Sequence, residues 1–287
     1  MTDVRHPYTD KNAVLATMHR KEEVIVPPFW SILGLAIATV PGLDTDQLGT
    51  FSGEIPRNGT MLDVAVRKAR LGMRAAAAPL GLASEGTFGP HPAVPFFPAG
   101  MELMVFVDDE RGIVVSESLI AEKTNFDYLV VAVGEEPTAF LQRIGFPSHA
   151  LMVRPNQGDG AAGFAKGVAT PTQLTSAIAS AAALSADGRA RLETDMRAHL
   201  NPTRMQSLAL LAERLARRLA QQCPICDTPG FGRTGTRAGL RCADCDTPTG
   251  MVAAEIFSCP ACDHREEQAR ADGMQMAPAQ CCPACNP

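Results

Sequence analysis

The stretch Asn201–Pro229, NPTRMQSLALLAERLARRLAQQCPICDTP, carries both halves of the architecture. Asn201 is an N-cap residue and Pro202 suits the first helical position. Met205, Leu208, Leu211, Leu215 and Leu219 then recur on one face, so the spacing predicts an amphipathic helix over Pro202–Gln222. That helix runs into Cys223-Pro-Ile-Cys226, the first of four C-x-x-C pairs. The chain therefore divides into a body over 1–222 and a cysteine-rich module over 223–287.

All nine cysteines of the 287 residues lie in that module: Cys223/Cys226, Cys242/Cys245, Cys259/Cys262, Cys282/Cys285 and the extra Cys281. In a reducing compartment, paired C-x-x-C knuckles favour metal over disulfides. Two thiolates on one tight turn suit tetrahedral Zn²⁺. The repeat Cys-x-x-Cys-Asp-Thr-Pro, at Cys223–Pro229 and again at Cys242–Pro248, reads as the two halves of one ribbon. This pairs Cys223, Cys226, Cys242 and Cys245 at one zinc, and Cys259, Cys262, Cys282 and Cys285 at the second. A cross-braced pairing of alternate knuckles is the alternative. Closed Cys₄ sites leave no position for water, so both zincs are expected to be structural. His264 and Cys281 are substitute ligands to be considered.

Charge bears on partners. The module holds five Lys and Arg against eight Asp and Glu, net −3, and two Zn(Cys)₄ centres would take it to −7. Phosphate-backbone binding needs clustered cations, so nucleic acid is disfavoured, although Arg233, Arg237 and Arg241 fall on one hairpin. The longest apolar run, Phe29–Val40, falls short of the ~20 residues of a membrane span and reads as core. Met1–Arg20 has no basic segment followed by an apolar one, so a cytoplasmic protein without membrane contact is expected.

Upstream of residue 201, strand-like and helix-like segments alternate. Asn12–Met18, Leu35–Val40, Glu102–Val107, Gly112–Ser116, Tyr128–Val133 and Ala150–Val153 read as strands. Leu80–Ala83 reads as a brief strand that ends in a loop, Ser84–Pro92. Thr60–Ala78, Pro137–Ile144 and Thr172–Leu184 read as helices, and Asn156–Gly163 as a loop. The expected fold is an α/β body built on a mixed sheet, with a C-terminal double zinc-ribbon module.

Three polar clusters stand out in that body. Thr17, His19 and Lys21 follow the first strand, where α/β folds place anionic ligands. Glu54, Arg57 and Asp63 are set against Glu85 and His91, an arrangement of carboxylates suited to a hard cation such as Mg²⁺ beside phosphate. Glu193–Arg204 supplies Arg197, His199 and Arg204 just ahead of a helix N-terminus that favours anions.

The segments LATMHRKE (Leu15–Glu22), ASEGTFGPHP (Ala83–Pro92), TNFD (Thr124–Asp127), ETDMRAHLNPTRM (Glu193–Met205) and the terminal CPACNP together resemble a bacterial family of uncharacterised proteins with cysteine-rich C-termini. The first 90 residues also resemble the inosine-triphosphatase and Maf-like nucleotide pyrophosphatases. Ala16, Thr17, His19 and Lys21 resemble that group's phosphate loop. Glu54, Thr60, Asp63, Ala65, Lys68 and Ala69 echo its next motif, with Leu62 and Val64 where it has polar residues, and Ser84-Glu85-Gly86 echoes its acidic segment. The resemblance implies a Mg²⁺-dependent phosphoanhydride hydrolase or nucleotide-binding protein. Asp63 and Glu85 would hold metal and activate water, and Thr17, His19, Lys21, Arg57, Lys68, Arg197, His199 and Arg204 would bind a phosphorylated ligand. The alternative is a non-enzymatic adaptor whose body senses a small anion while its ribbons dock a protein or RNA.

Overall fold

A computed structural model describes residues 5–49, 58–91, 96, 98–121, 123–158 and 162–287. It shows an α/β body whose first sheet has five strands in the order β2-β1-β3-β4-β5. These are β1 (Asn12–Ala16), β2 (Ala36–Thr39), β3 (Leu80–Pro90), β4 (Pro98–Asp108) and β5 (Ile113–Ala121). β1 pairs in parallel with β2 and β3, whereas β3, β4 and β5 form an antiparallel meander, so the sheet is mixed.

Alternation along these strands sorts two cores. Leu15, Leu80, Leu82, Met104, Phe106 and Val115 face α1 (Glu22–Leu33) and α5 (Pro202–Ala220). Val14, Ala16, Ala83, Val105 and Val107 face α2 (Met61–Ala76). Helices therefore cover both faces, and the chain leaves β1 towards β2 on one side before returning to β3 on the other. The carboxyl end of β1, where it lies beside Ala83 of β3, marks the point where strand order reverses, the usual place for a ligand in an open α/β sheet.

β3 corrects one expectation. Ser84–Pro90 is strand, not loop, because β4 pairs with it along its whole length, from Leu80 opposite Asp108 to Pro90 opposite Pro98. Gly86, Gly89 and the prolines make the segment look like a turn locally, and a distant partner overrides them.

A second, antiparallel sheet, β6-β9-β7-β8, comprises β6 (Tyr128–Ala132), β7 (Leu151–Pro155), β8 (Ala165–Val168) and β9 (Arg189–Thr194). α3 (Thr138–Ile144) and α4 (Pro171–Leu184) close a core around Phe140, Leu151, Val153, Ile178 and Leu192. The buried Asp195 takes hydrogen bonds from the Gly167 and Arg197 amides. This fixes the segment that crosses from β9 to α5. Among the described residues no helix is long and apolar enough to cross a membrane.

α5 then enters the module, a three-stranded sheet of β10 (Gly232–Ala238), β11 (Val252–Ser258) and β12 (Arg265–Gln268). Arg218, on the last turn of α5, clamps the join. Its guanidinium donates to the carbonyls of Gly230 and Ser116, at 3.2 and 2.9 Å, and to Glu117 at 2.9 Å. Gly230 has φ +97° and lies against Val115, where a Cβ would approach to 2.5 Å.

Candidate functional site

Two sites are built by this fold. In the module, the Sγ atoms of Cys223, Cys226, Cys259 and Cys262 lie within 4.8 Å of one another, as do those of Cys242, Cys245, Cys282 and Cys285. Close pairs measure 3.5 to 3.9 Å. Four sulfurs at ~2.3 Å from a tetrahedral zinc stand about 3.8 Å apart, so the donor set fits that ion. Amides of Asp244, Ala261 and Ala284 donate to Cys242, Cys259 and Cys282, respectively, at 3.3 to 3.4 Å. Such bonds favour thiolate.

The pairing by sequence neighbours is thus corrected to the cross-braced one. β10 and β11 are antiparallel, with Gly232 opposite Ser258 at one end and Ala238 opposite Val252 at the other. The first and third knuckles share one end. The second lies beyond the turn, about 23 Å along a seven-residue strand, too far to share a zinc ion with the first. The last knuckle joins the second because Ala277 bridges to Cys242. Cys281 is exposed and outside the cluster, and His264 stacks on Phe231 with ring centroids 5.6 Å apart. Neither belongs to a ligand set.

The Cys-Asp-Thr-Pro repeat has a structural meaning. Asp227 and Asp246 adopt left-handed backbone, φ 56° and 60°, and the next hydroxyl, of Thr228 or Thr247, lies 3.2 Å from Cys226 or Cys245. Hydrogen bonds from those threonines hold each thiol down, to about 6. Arg233, Arg237 and Arg241 pair with Glu255, Glu267 and Asp246. The cationic hairpin face is therefore neutralised by its own carboxylates.

The second site is a cleft at the carboxyl end of β1, beside the middle of β3, lined by Thr17, Met18, His19, Lys21, Thr45, Gly49, Lys68, Ser84, Glu85, Gly86 and Arg204. Its cavity is small, about 30 Å³. It can take one tip of a ligand whose remainder lies outside. A separate groove of about 630 Å³ between β8 and α4 is lined mainly by small neutral side chains.

Strand parity divides the cleft. Glu85 faces α2, where Lys68 pairs with it, and both are buried. Ser84 and Glu102 face α1 and α5. Lys21, capping α1, donates to Ser84 Oγ at 3.0 Å. Arg204, in the first turn of α5, donates from Nε and Nη2 to Glu102 at 2.6 and 3.2 Å, and from Nη1 to the Met196 carbonyl at 2.5 Å. Gly86 makes room for that pair, since a Cβ there would lie 2.5 Å from Arg204 Nη2 and 2.6 Å from Glu102.

Lys21 makes no ion pair among the described residues. Burial, then the Arg204 charge, lowers its ammonium to about 8. His19 stacks on His199, centroids 5.1 Å apart. Desolvation, followed by Lys21, His199, Arg204 and Arg197, pushes His19 down to about 3, so it is neutral. His199 is lowered as well, mainly by burial.

Of the expected site residues, Thr17, His19, Lys21, Lys68, Glu85 and Arg204 come together, with His199 against His19. Arg197 pairs with Asp195 at 2.6 Å beside them. Asp63 does not join. It accepts from the Thr60 amide and hydroxyl, at 3.0 and 2.7 Å, in a capping box on the exposed face of α2. Those bonds stabilise the carboxylate and hold its pKa below the usual value. The two-carboxylate Mg²⁺ site is therefore not assembled, because Asp63 caps a helix and Glu85 is held by Lys68. Glu54 and Arg57 lie outside the described residues. Ser84 and Glu102 were missed as site residues. The signal for Glu102 is a charged residue in register with the inward Met104 and Phe106 of an apolar strand.

The structure defines a mixed α/β protein with a polar cleft at its sheet reversal and two four-cysteine clusters able to hold metal ions. The chain belongs to the family described as Domain of unknown function (DUF6671), which matches residues 68–287. That match contains Lys68, Ser84, Glu85, Glu102, Arg204 and both clusters, and begins after Lys21. No curated protein matches the chain.

Proposed function

We propose that the cleft binds the phosphoryl end of a small anionic ligand and that the protein is a phosphoanhydride hydrolase stabilised by two structural zinc ions. The observation that supports this reading is the meeting of Lys21, at the start of α1, Lys68 of α2 and Arg204 of α5 with two carboxylates, Glu85 and Glu102, among the described residues. The surplus positive charge lies at the sheet reversal, where field and geometry favour an anion. Mg²⁺ enters this reading as an ion carried by the ligand's own phosphates. Zinc stays in the module, with all eight thiolates used. A reducing compartment, such as the cytoplasm, keeps those thiols available.

Thermal melting with pyrophosphate and a panel of nucleoside di- and triphosphates, with and without Mg²⁺, tests the reading. At least one should raise Tm in the native protein, and Lys21→Ala should lose that rise. If none raises Tm, the phosphoryl reading fails.

An adaptor reading draws on a different observation. Ile225, at the tip of the first knuckle, is 70% exposed, and Met274 and Met276 are also exposed on the module. The exposed Ile225 suits a protein partner better than RNA, given the paired arginines.

A further inference from the structure

We propose that Ser84 is the nucleophile of the cleft and Lys21 its general base, so that hydrolysis runs through a phosphoserine at Ser84. This deepens the phosphoryl-binding reading above and rests on it.

The first support is position. Ser84 continues the row Leu80, Leu82 on the β3 face that packs into the core, yet it lies at the end of that row, in the cleft wall. A hydroxyl in such a row needs a partner, and a backbone carbonyl would suffice. It has instead the amine of Lys21, 63 residues away in sequence and 3.0 Å away in space.

The second support is the setting of Lys21. A desolvated ammonium is costly without a carboxylate. Lys21 is nevertheless opposed by Arg204 and Lys68 as well as attracted by Glu102 and Glu85. With its proton held at about 8, roughly a tenth of molecules carry the free amine at pH 7. A serine beside a neutral amine is an activated nucleophile of known type. The buried cations Lys68 and Arg204 are paired with Glu85 and Glu102, respectively, whereas Lys21 is partly buried.

The step balances as follows. Lys21 Nζ takes the proton of Ser84 Oγ as Oγ bonds to phosphorus and the bridging phosphorus–oxygen bond breaks. The departing oxygen receives the proton from Lys21. Water then attacks the phosphoserine, giving its proton to Lys21, and Ser84 leaves with that proton restored. Arg204 and Lys68 set positive charge beside the phosphoryl oxygens in both steps.

A fluorophosphonate probe tests the dyad without knowledge of the natural substrate, since Ser84 Oγ would displace fluoride. Peptide mass spectrometry of the full-length native protein should find Ser84 modified, with a rate that rises through pH 8. Lys21→Met should slow labelling at least tenfold while zinc content and circular dichroism stay unchanged. An unmodified Ser84 in the folded native protein, or a flat pH profile, would overturn the dyad. Should Lys21→Met fail to fold, the native pH profile decides alone. Pyrophosphate melting of Ser84→Ala reports separately on the ligand: its Tm should still rise. If Ser84 labels but pyrophosphate stabilises neither protein, the nucleophile stands and the phosphoserine is overturned.

Discussion

His19 lies at the mouth of the cleft with Lys21, His199, Arg197 and Arg204 around it, and these neighbours with burial keep its ring neutral far below the usual range. In the unfolded chain the same ring takes a proton near 6.5. Between about 6.5 and about 3 the unfolded state therefore binds more protons, and stability falls as pH falls. One proton contributes at most about 1.4 kcal/mol per pH unit, less with solvent screening. Urea unfolding of the native protein and His19→Gln at pH 5 to 6.5 should show a shallower slope in the variant; equal slopes would remove His19 from the cleft's electrostatics. The cationic residues of the cleft were legible because strand ends and helix starts are where charge has a use. Asp63 was misread because a capping-box acid and a metal-binding acid look alike in sequence, and only the position of Thr60 separates them. Ser84 was hidden within what read as a loop.

At the scale of elements, the β10–β11 hairpin decides the metal pairing, because opposite ends of an antiparallel pair cannot share an ion. Two double variants distinguish the arrangements by metal content. Cys223→Ser with Cys259→Ser removes ligands from one cluster and should retain about one zinc per chain. Cys223→Ser with Cys242→Ser damages both clusters and should retain almost none. The reverse order would restore pairing by sequence neighbours. Knuckle spacing alone left the pairing open, since it records how far apart knuckles are along the chain and not which way the strand between them runs. β9 was partly readable, with Ala190, Leu192 and Thr194 turned inward, but its charged alternates drew attention to polar chemistry. β8 has four residues, too few for a period to show. α1 contains Pro27 and Pro28, which mask a helix that Ile25, Phe29 and Leu33 anchor in the core.

Over the whole molecule, α5 is the member common to both sites. Arg204 at its start closes the cleft and Arg218 near its end holds the module, about 21 Å apart along the axis. The clusters contribute no group to the cleft, yet metal binding is coupled to the fold of the segment that receives α5. Chelation should therefore lower protection from hydrogen exchange first at Arg217–Ala220 and in β10. Leu211–Leu215, packed in the main core, should keep its protection while the body stays folded. Simultaneous loss along all of α5 would mean that body and module unfold as one unit.

The connectivity of the cleft also sets the order in which it is completed during synthesis. Lys21 and Ser84 emerge early and can meet once β1 and β3 pair, but the Arg204–Glu102 ion pair closes a separation of 102 residues. Domains tend to fold from the N-terminus as the ribosome delivers them. A nascent chain thus holds its reactive hydroxyl beside an amine well before the guanidinium arrives, and only a nearly finished polypeptide has the full charge needed to retain an anion.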